Sequence, residues 1–331
     1  MVKYNIMRIL RNNMRIMRKN FVLFALVFVS FALVYSSQAV GEDFSVEFSP
    51  ETPGPNTSVS ANLVSYSFDV NRANITWILN GQTKLRGTGQ KNFSFATGNL
   101  GSRTDVSVSI TTDAGVQLTN KFSFQAADVD ILWEAKNYTP LGYKGKALPV
   151  SGSLIKVTAV PYFPGSSSGL VYEWQIDYKN FPDVSGTGKN SFVFKSADIY
   201  NKNKIGLTVS NYDKSIVAKK SVEIEIRAPK VVFYEESPLE GPKYNRVLVG
   251  DIQMAQDEII VRAEPYFFSI KDLAKLSYEW LMNEEKVIPE EFPNILSLRK
   301  GESPGRSLIN IKASNPLNIL QYADSSLGIN Y

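Results

Sequence analysis

Asn74-Ile75-Thr76-Trp77-Ile78-Leu79, Val171-Tyr172-Glu173-Trp174-Gln175-Ile176 and Ser277-Tyr278-Glu279-Trp280-Leu281-Met282 decide the fold. Each is a short β-type run built around a tryptophan, and two share the tripeptide Tyr-Glu-Trp. Three of the four tryptophans recur in this way, 97 and then 106 residues apart. Upstream of each lies a run that alternates apolar and polar residues, the period of a half-buried strand. Its inward positions are Val59, Ala61 and Leu63, then Ile155, Val157 and Ala159, then Ile259, Val261 and Ala263. The second and third runs continue into Val160-Pro161-Tyr162-Phe163 and Glu264-Pro265-Tyr266-Phe267.

Downstream the register holds. Gly87-Thr88-Gly89 leads to Phe93-Ser94-Phe95, and Gly186-Thr187-Gly188 leads to Phe192-Val193-Phe194. The third copy lacks the glycines and keeps Leu296-Ser297-Leu298. A second alternating run supplies Val106, Val108 and Ile110, then Ile205, Leu207 and Val209, then Ile309, Ile311 and Ala313. A repeat of roughly 100 residues with some seven short strands has the size of an immunoglobulin-like β-sandwich. The fold class is therefore all-β: three tandem immunoglobulin-like β-sandwiches after an N-terminal signal helix. In each, the tryptophan belongs to the central strand. Aliphatic residues stand where an inter-sheet disulfide would sit, so Val157 is expected to face Leu207, or Ala61 to face Val108.

The modules are expected at 40–127, 128–227 and 228–331. No Gly/Ser-rich linker separates them, and Pro229 stiffens one junction. This predicts a semi-rigid rod. Helix is expected only as single turns at Ser196–Tyr200 and Lys271–Leu276.

Residues 1–39 read as a signal peptide or signal-anchor. Six of the 36 basic side chains and no acid fall there: Lys3, Arg8, Arg11, Arg15, Arg18 and Lys19. The apolar run Phe21–Tyr35 follows, and Ser36-Ser37-Gln38-Ala39 places small residues for cleavage after Ala39. Fifteen residues are short for the ~20 of a spanning helix. Export to an extracellular, cell-surface or periplasmic site is the expectation, with membrane contact only through the leader if it stays uncleaved.

The other 30 basic residues face all 32 acidic ones, so the exported part has no basic excess to neutralise phosphates and no nucleic-acid partner is expected. The chain has no cysteine and no histidine. Thiol nucleophiles, thiolate zinc sites, His-based triads and disulfides are excluded.

Trp77-Ile78-Leu79-Asn80-Gly81 within this repeat resembles the PKD-like and related immunoglobulin-like modules of bacterial exported proteins, over most of residues 43–331. The Trp-Asp-Phe-Gly-Asp-Gly signature of PKD domains proper is absent. Leu132-Trp133-Glu134-Ala135, Tyr143-Lys144-Gly145-Lys146 and Val232-Phe233-Tyr234-Glu235 are similar to modules of exported proteins from small-genome bacteria. The resemblance implies a cell-surface or appendage setting and supplies no catalytic residues.

No residue pattern marks a reaction or a cofactor. Asp128 and Asp130, with Glu134 nearby, flank a module junction, where carboxylates can bind calcium; their alternation with Val129 and Ile131 suits the solvent face of a strand. Asp69, Asn71 and Asp113 are turn formers. Glu284-Glu285 and Glu290-Glu291 lie in a charged loop. Ser153-Leu154-Ile155-Lys156 has serine–lysine spacing but needs a helix to bring both groups together. Sequons stand at Asn56, Asn74, Asn92 and Asn137. The contact residues expected for a protein or glycan partner are Tyr138, Tyr143, Lys144 and Lys146, in a Pro/Gly-rich stretch of the second module. The predicted function is a non-enzymatic cell-surface spacer or adhesion rod. The alternative is a carbohydrate-binding exoprotein, marked by an aromatic row on one sheet face; an extracellular hydrolase ranks last.

Overall fold

A computed structural model describes residues 44–165, 168–197 and 202–331. The leader, and Asp198–Tyr200 of the first expected helical turn, lie outside the described residues. Among the described residues no helix is long and apolar enough to cross a membrane.

The protein is all-β and forms three immunoglobulin-like sandwiches. The first holds β1 (Ser45–Ser49), β2 (Ser58–Val64), β3 (Asn74–Leu79), β4 (Gln82–Thr88), β5 (Asn92–Ala96), β6 (Arg103–Thr111) and β7 (Gln117–Gln125). The second holds β8 (Asp128–Ala135), β9 (Leu154–Tyr162), β10 (Val171–Ile176), the short β11 (Lys179–Asn180) and β12 (Gly186–Thr187), β13 (Ser191–Lys195), β14 (Lys202–Ser210) and β15 (Val217–Glu225). The third holds β16 (Lys230–Ser237), β17 (Gly241–Leu248), β18 (Asp251–Gln253), β19 (Glu258–Tyr266), β20 (Ser277–Met282), β21 (Glu285–Val287), β22 (Ile295–Arg299), β23 (Arg306–Ser314) and β24 (Tyr322–Asn330).

Their sheets run β1-β2-β5 and β4-β3-β6-β7, then β13-β9-β8 and β11-β10-β14-β15, then β17-β16-β19-β22 and β18-β24-β23-β20-β21. The strands of the three repeated tryptophans, β3, β10 and β20, are interior strands of their sheets, as the repeat predicts. The described residues divide into two compact units. One comprises Ser60–Ser94, Val106–Lys121 and the described residues up to Phe48; the other comprises Phe122–Tyr331 with Ser49–Val59 and Phe95–Asp105. The second and third sandwiches lie in the latter.

Alternation places the core. Val59, Ala61, Leu63, Ile155, Val157 and Ala159 are buried, as are Val261, Ala263 and the inward residues of β6, β14 and β23. Ile259 is only half-buried. Val157 and Leu207 belong to one core cluster, which closes the two sheets by aliphatic contact. Trp77, Trp174 and Trp280 are at most 1% exposed. A buried indole needs a partner for its N–H, and each donates to a backbone carbonyl ahead of the strand on the opposite sheet: Gln90 at 2.8 Å, Lys189 at 2.8 Å and Pro293 at 2.9 Å. Trp77 stacks on Phe93 with centroids 5.3 Å apart, and Trp174 meets Phe192 edge-on at 5.0 Å. Leu296 replaces that phenylalanine in the third sandwich, where Phe233 of β16 supplies the ring at 6.0 Å.

Each tryptophan strand turns through a two-residue hairpin. The central residues are Asn80-Gly81, Asp177-Tyr178 and Asn283-Glu284, all with positive φ. This is the turn whose twist suits adjoining antiparallel strands. The helical turn expected near Lys271 is a 3-10 helix at Ile270–Lys275; Pro182–Val184 forms another.

Candidate interaction surface

The expected contact stretch begins where β8 ends. Instead of packing only on its own sandwich, it docks on the third. Asn137 and Ser269 form an antiparallel bridge. The Tyr138 N–H donates to the Phe268 carbonyl at 2.8 Å, and the Phe267 N–H donates to the Tyr138 carbonyl at 2.7 Å. Phe267 sits at φ +68°, a left-handed conformation uncommon for a bulky residue. The third sandwich reaches back as well: the Asn318 and Gln321 side-chain amides both donate to the Ser151 carbonyl, at 2.9 and 2.8 Å.

Glu264 lies at the centre of this joint, 3% exposed. A buried carboxylate must be hydrogen-bonded to be tolerated. The Tyr138 hydroxyl donates to Glu264 Oε1 at 2.8 Å and the Tyr244 hydroxyl to Oε2 at 3.0 Å. An Arg262 guanidinium nitrogen stands 3.9 Å away; that guanidinium is chelated by Glu236 at 2.5 and 3.0 Å. Burial, and then the contact with Glu264, pushes both tyrosine hydroxyls above the ordinary tyrosine range. Val150 of the second sandwich packs with Tyr234, Tyr266 and Phe267 of the third.

Tyr143 meets Tyr266 and Phe267 edge-on, with centroids 5.7 and 5.8 Å apart, and remains 38% exposed. Lys144 is exposed. Lys146 reaches back onto its own sandwich, its Nζ 3.0 Å from the centroid of the Trp133 ring, and burial lowers its pKa. The joint thus occupies Tyr138 and one edge of Tyr143, while Lys144 stays open to solvent.

The remaining sequence candidates separate into structural roles. Ser153 is buried, and its hydroxyl accepts from Asn137 Nδ2 and from the Val150 N–H, both at 2.8 Å. Lys156 lies on the exposed face of β9. Asp128 accepts from the N–H of its neighbour Val129, and Asp130 pairs with Lys220 at 3.7 Å. Asp69 caps its own turn through the Asn71 N–H. Among the described residues no group of three or more acidic side chains is placed to hold a metal ion. Asn137 is 3% exposed with its amide nitrogen bonded to the Leu148 carbonyl and to Ser153, whereas Asn56, Asn74 and Asn92 are exposed.

Glu264, Tyr244, Asn318 and Gln321 are not among the contact residues that the sequence predicts. One signal did exist. Tyr266, Phe267 and Phe268 are consecutive, so alternation buries them on one face only; that all three are buried requires a second covering surface.

No family model matches the chain, and no curated protein matches it. Solved structures with similar backbones include the central fibronectin-III array of RIM-binding protein. It is 10% identical, with 88% of this chain and 96% of that one covered, at a TM-score of 0.30. The fibronectin(III)-like modules of Clostridium thermocellum CbhA are 11% identical over 55% of this chain and 94% of theirs, at 0.27. The Bacteroides ovatus glucan-utilization protein SGBP-B, in complex with a mixed-linkage heptasaccharide, is 10% identical over 87% of this chain and 70% of its own, at 0.21. None of these scores reaches 0.5, so the architecture rests on this chain's own strand pairings.

Proposed function

We propose that the chain is an exported, non-enzymatic surface protein whose sandwiches serve as spacer and interaction modules. The modules span 40–127, 128–227 and 228–331, and the leader is removed after Ala39. Its basic, apolar and small-residue zones support export, and the resemblance to PKD-like modules of bacterial exported proteins supports a surface setting. The observation that carries the spacer reading is the joint between the second and third sandwiches. A spacer transmits distance only if its modules do not hinge. Backbone pairing through Tyr138 and a buried Glu264 bonded from both sides resist hinging in a way that a short linker alone does not. Protein or glycan at the cell surface is the partner class, and Tyr143 and Lys144 form the part of the joint loop left for outside contact.

The absence of native cysteine makes the test direct. Spin labels on Ser191→Cys and Glu302→Cys, one exposed site on each sandwich, should give a single narrow distance distribution. A broad one overturns the spacer reading. Mass spectrometry of the exported protein should find Val40 at the N-terminus; an intact leader in the cytosol overturns export.

A further inference from the structure

Three consecutive aromatic residues mark a conformational device at the joint. Tyr266, Phe267 and Phe268 are each at most 8% exposed. On a regular strand Tyr266 and Phe268 would share one face and Phe267 would take the other. Instead Phe268 belongs to the core of the third sandwich, while Tyr266 and Phe267 share a separate small cluster with Tyr234 and with Val150 of the second. The left-handed Phe267, at φ +68°, is what breaks the alternation. A bulky side chain adopts that conformation against a steric cost, so contacts outside the segment have to hold it. They come from the second sandwich: the Phe267 N–H donates to the Tyr138 carbonyl, and the Tyr138 N–H donates to the Phe268 carbonyl.

A second attachment converges on the same segment. The Ser151 carbonyl accepts from Asn318 and Gln321. Gln321 Oε1 in turn accepts from the Ser269 N–H at 3.3 Å and from Asn315 Nδ2 at 3.0 Å, and Asn315 also donates to Asp272 at 3.1 Å. Gln321, Asn315 and Asp272 are each at most 6% exposed. A buried polar chain of this kind is stable when complete and costly when one link is missing. The covalent connection beside it is short: β15 ends at Glu225 and β16 begins at Lys230. Opening the joint therefore leaves the two sandwiches tethered, and reclosing is intramolecular.

We infer that the joint is a two-state latch whose moving part is the segment from Tyr266 to Asp272. Latched, Phe267 is left-handed and the segment is held through Tyr138 and Ser151. Unlatched, Phe267 relaxes to extended backbone and both attachments release together. The rings of Tyr138, Tyr266 and Phe267 then reach solvent while both sandwich cores stay folded. Steric relief at Phe267 favours opening, and the bonds to Glu264 and Ser151 oppose it, which gives the element two discrete arrangements. The latch goes beyond the spacer reading and does not depend on it: the spin-label distances report which state dominates, and the latch concerns how the joint opens.

Native-state hydrogen exchange of the full chain in low urea tests it. The Tyr138, Phe267 and Ser269 amides should exchange through one shared opening, with a common free energy and urea slope, below the opening that releases the Leu207 and Ile311 amides of the two cores. Exchange of all these amides only together overturns the latch in favour of an obligate unit. Unrelated free energies at Tyr138, Phe267 and Ser269 overturn it in favour of separate loop fraying. Strain is read from a pair of variants that both lose the ring, Phe267→Gly and Phe267→Ala. Only glycine adopts the left-handed region freely, so protection at Tyr138 should be at least about threefold higher in Phe267→Gly; equal or lower protection overturns the strain. A Cβ at Gly152 would meet Asn318 Nδ2 at 2.6 Å, on the Ser151 side of the joint, where the backbone has φ +72°. Gly152→Ala should lower protection at Tyr138 and Phe267 by a common factor of about tenfold, with Leu207 and Ile311 unchanged. A loss confined to the residues around Gly152 overturns the coupling of the two attachments, and with it the latch.

Discussion

Glu264→Leu is the sharpest perturbation of the joint. It removes a buried carboxylate that accepts from one hydroxyl of each sandwich, Tyr138 at 2.8 Å and Tyr244 at 3.0 Å. Two effects oppose each other. Losing a buried charge relieves its desolvation, which by itself is stabilising. Leaving a buried donor unpaired costs about 1–3 kcal/mol each. Arg262 does not change the balance, since Glu236 holds it independently. With two hydroxyls orphaned, the second effect wins, and we expect a net loss of about 2–4 kcal/mol. Glu264→Gln keeps the shape and one acceptor oxygen, and should cost about 1 kcal/mol. Native-state hydrogen exchange reads the joint locally, through the Tyr138 and Phe267 amides that bond across it. Their protection should fall about 30- to 700-fold in Glu264→Leu at 1.4 kcal/mol per tenfold, while the Leu207 amide inside the second sandwich is unchanged. Unaltered protection at Tyr138 and Phe267 would refute the reasoning and reduce the buried carboxylate to a bystander.

Trp174→Ala should destabilise the second sandwich by about 3–5 kcal/mol, read by thermal unfolding; Trp174→Phe should cost less, having lost mainly the 2.8 Å indole bond to Lys189. Burial raises the pKa of Tyr138, Tyr244, Tyr266 and Tyr278. Their stabilisation is fully present below about pH 10, where unfolded tyrosine begins to ionise, and is lost as pH rises beyond it. The thermal midpoint should therefore drop on going above pH 10, with a shallower slope in Tyr138→Phe/Tyr244→Phe; equal slopes would remove these tyrosines from the account. Asn137→Ala leaves the Leu148 carbonyl and the Ser153 hydroxyl without their donor. It should cost about 1–3 kcal/mol and raise exchange at the Val150 amide, which bonds to that same hydroxyl.

The sandwich core was legible in the sequence because burial on a strand has a period of two and does not depend on what lies beyond the sheet. Val157, Leu207 and Trp174 could be placed from spacing alone, as could their counterparts in the other copies. Ile259 was misjudged for the same reason: near the start of β19 the alternation continues after full cover has ended. The hairpin after each tryptophan was visible as Asn80-Gly81 in one copy and hidden in the others. Asp177-Tyr178 and Asn283-Glu284 adopt the same positive φ under the constraint of the paired strands, at Tyr178 and Glu284 against local preference.

What decided the joint was tertiary. Tyr138 departs from alternation, which sequence reading takes as freedom to meet a partner. The partner turned out to be the third sandwich, about 126 residues away along the chain. No local rule pairs Tyr138 with Glu264, because an outward-facing carboxylate on a strand is ordinarily solvated. Only the approach of another sandwich turns it into a buried acceptor. Period and composition determined what each sheet buries on its inner side. The meaning of the outer faces was settled by which surfaces the folded chain brought against them.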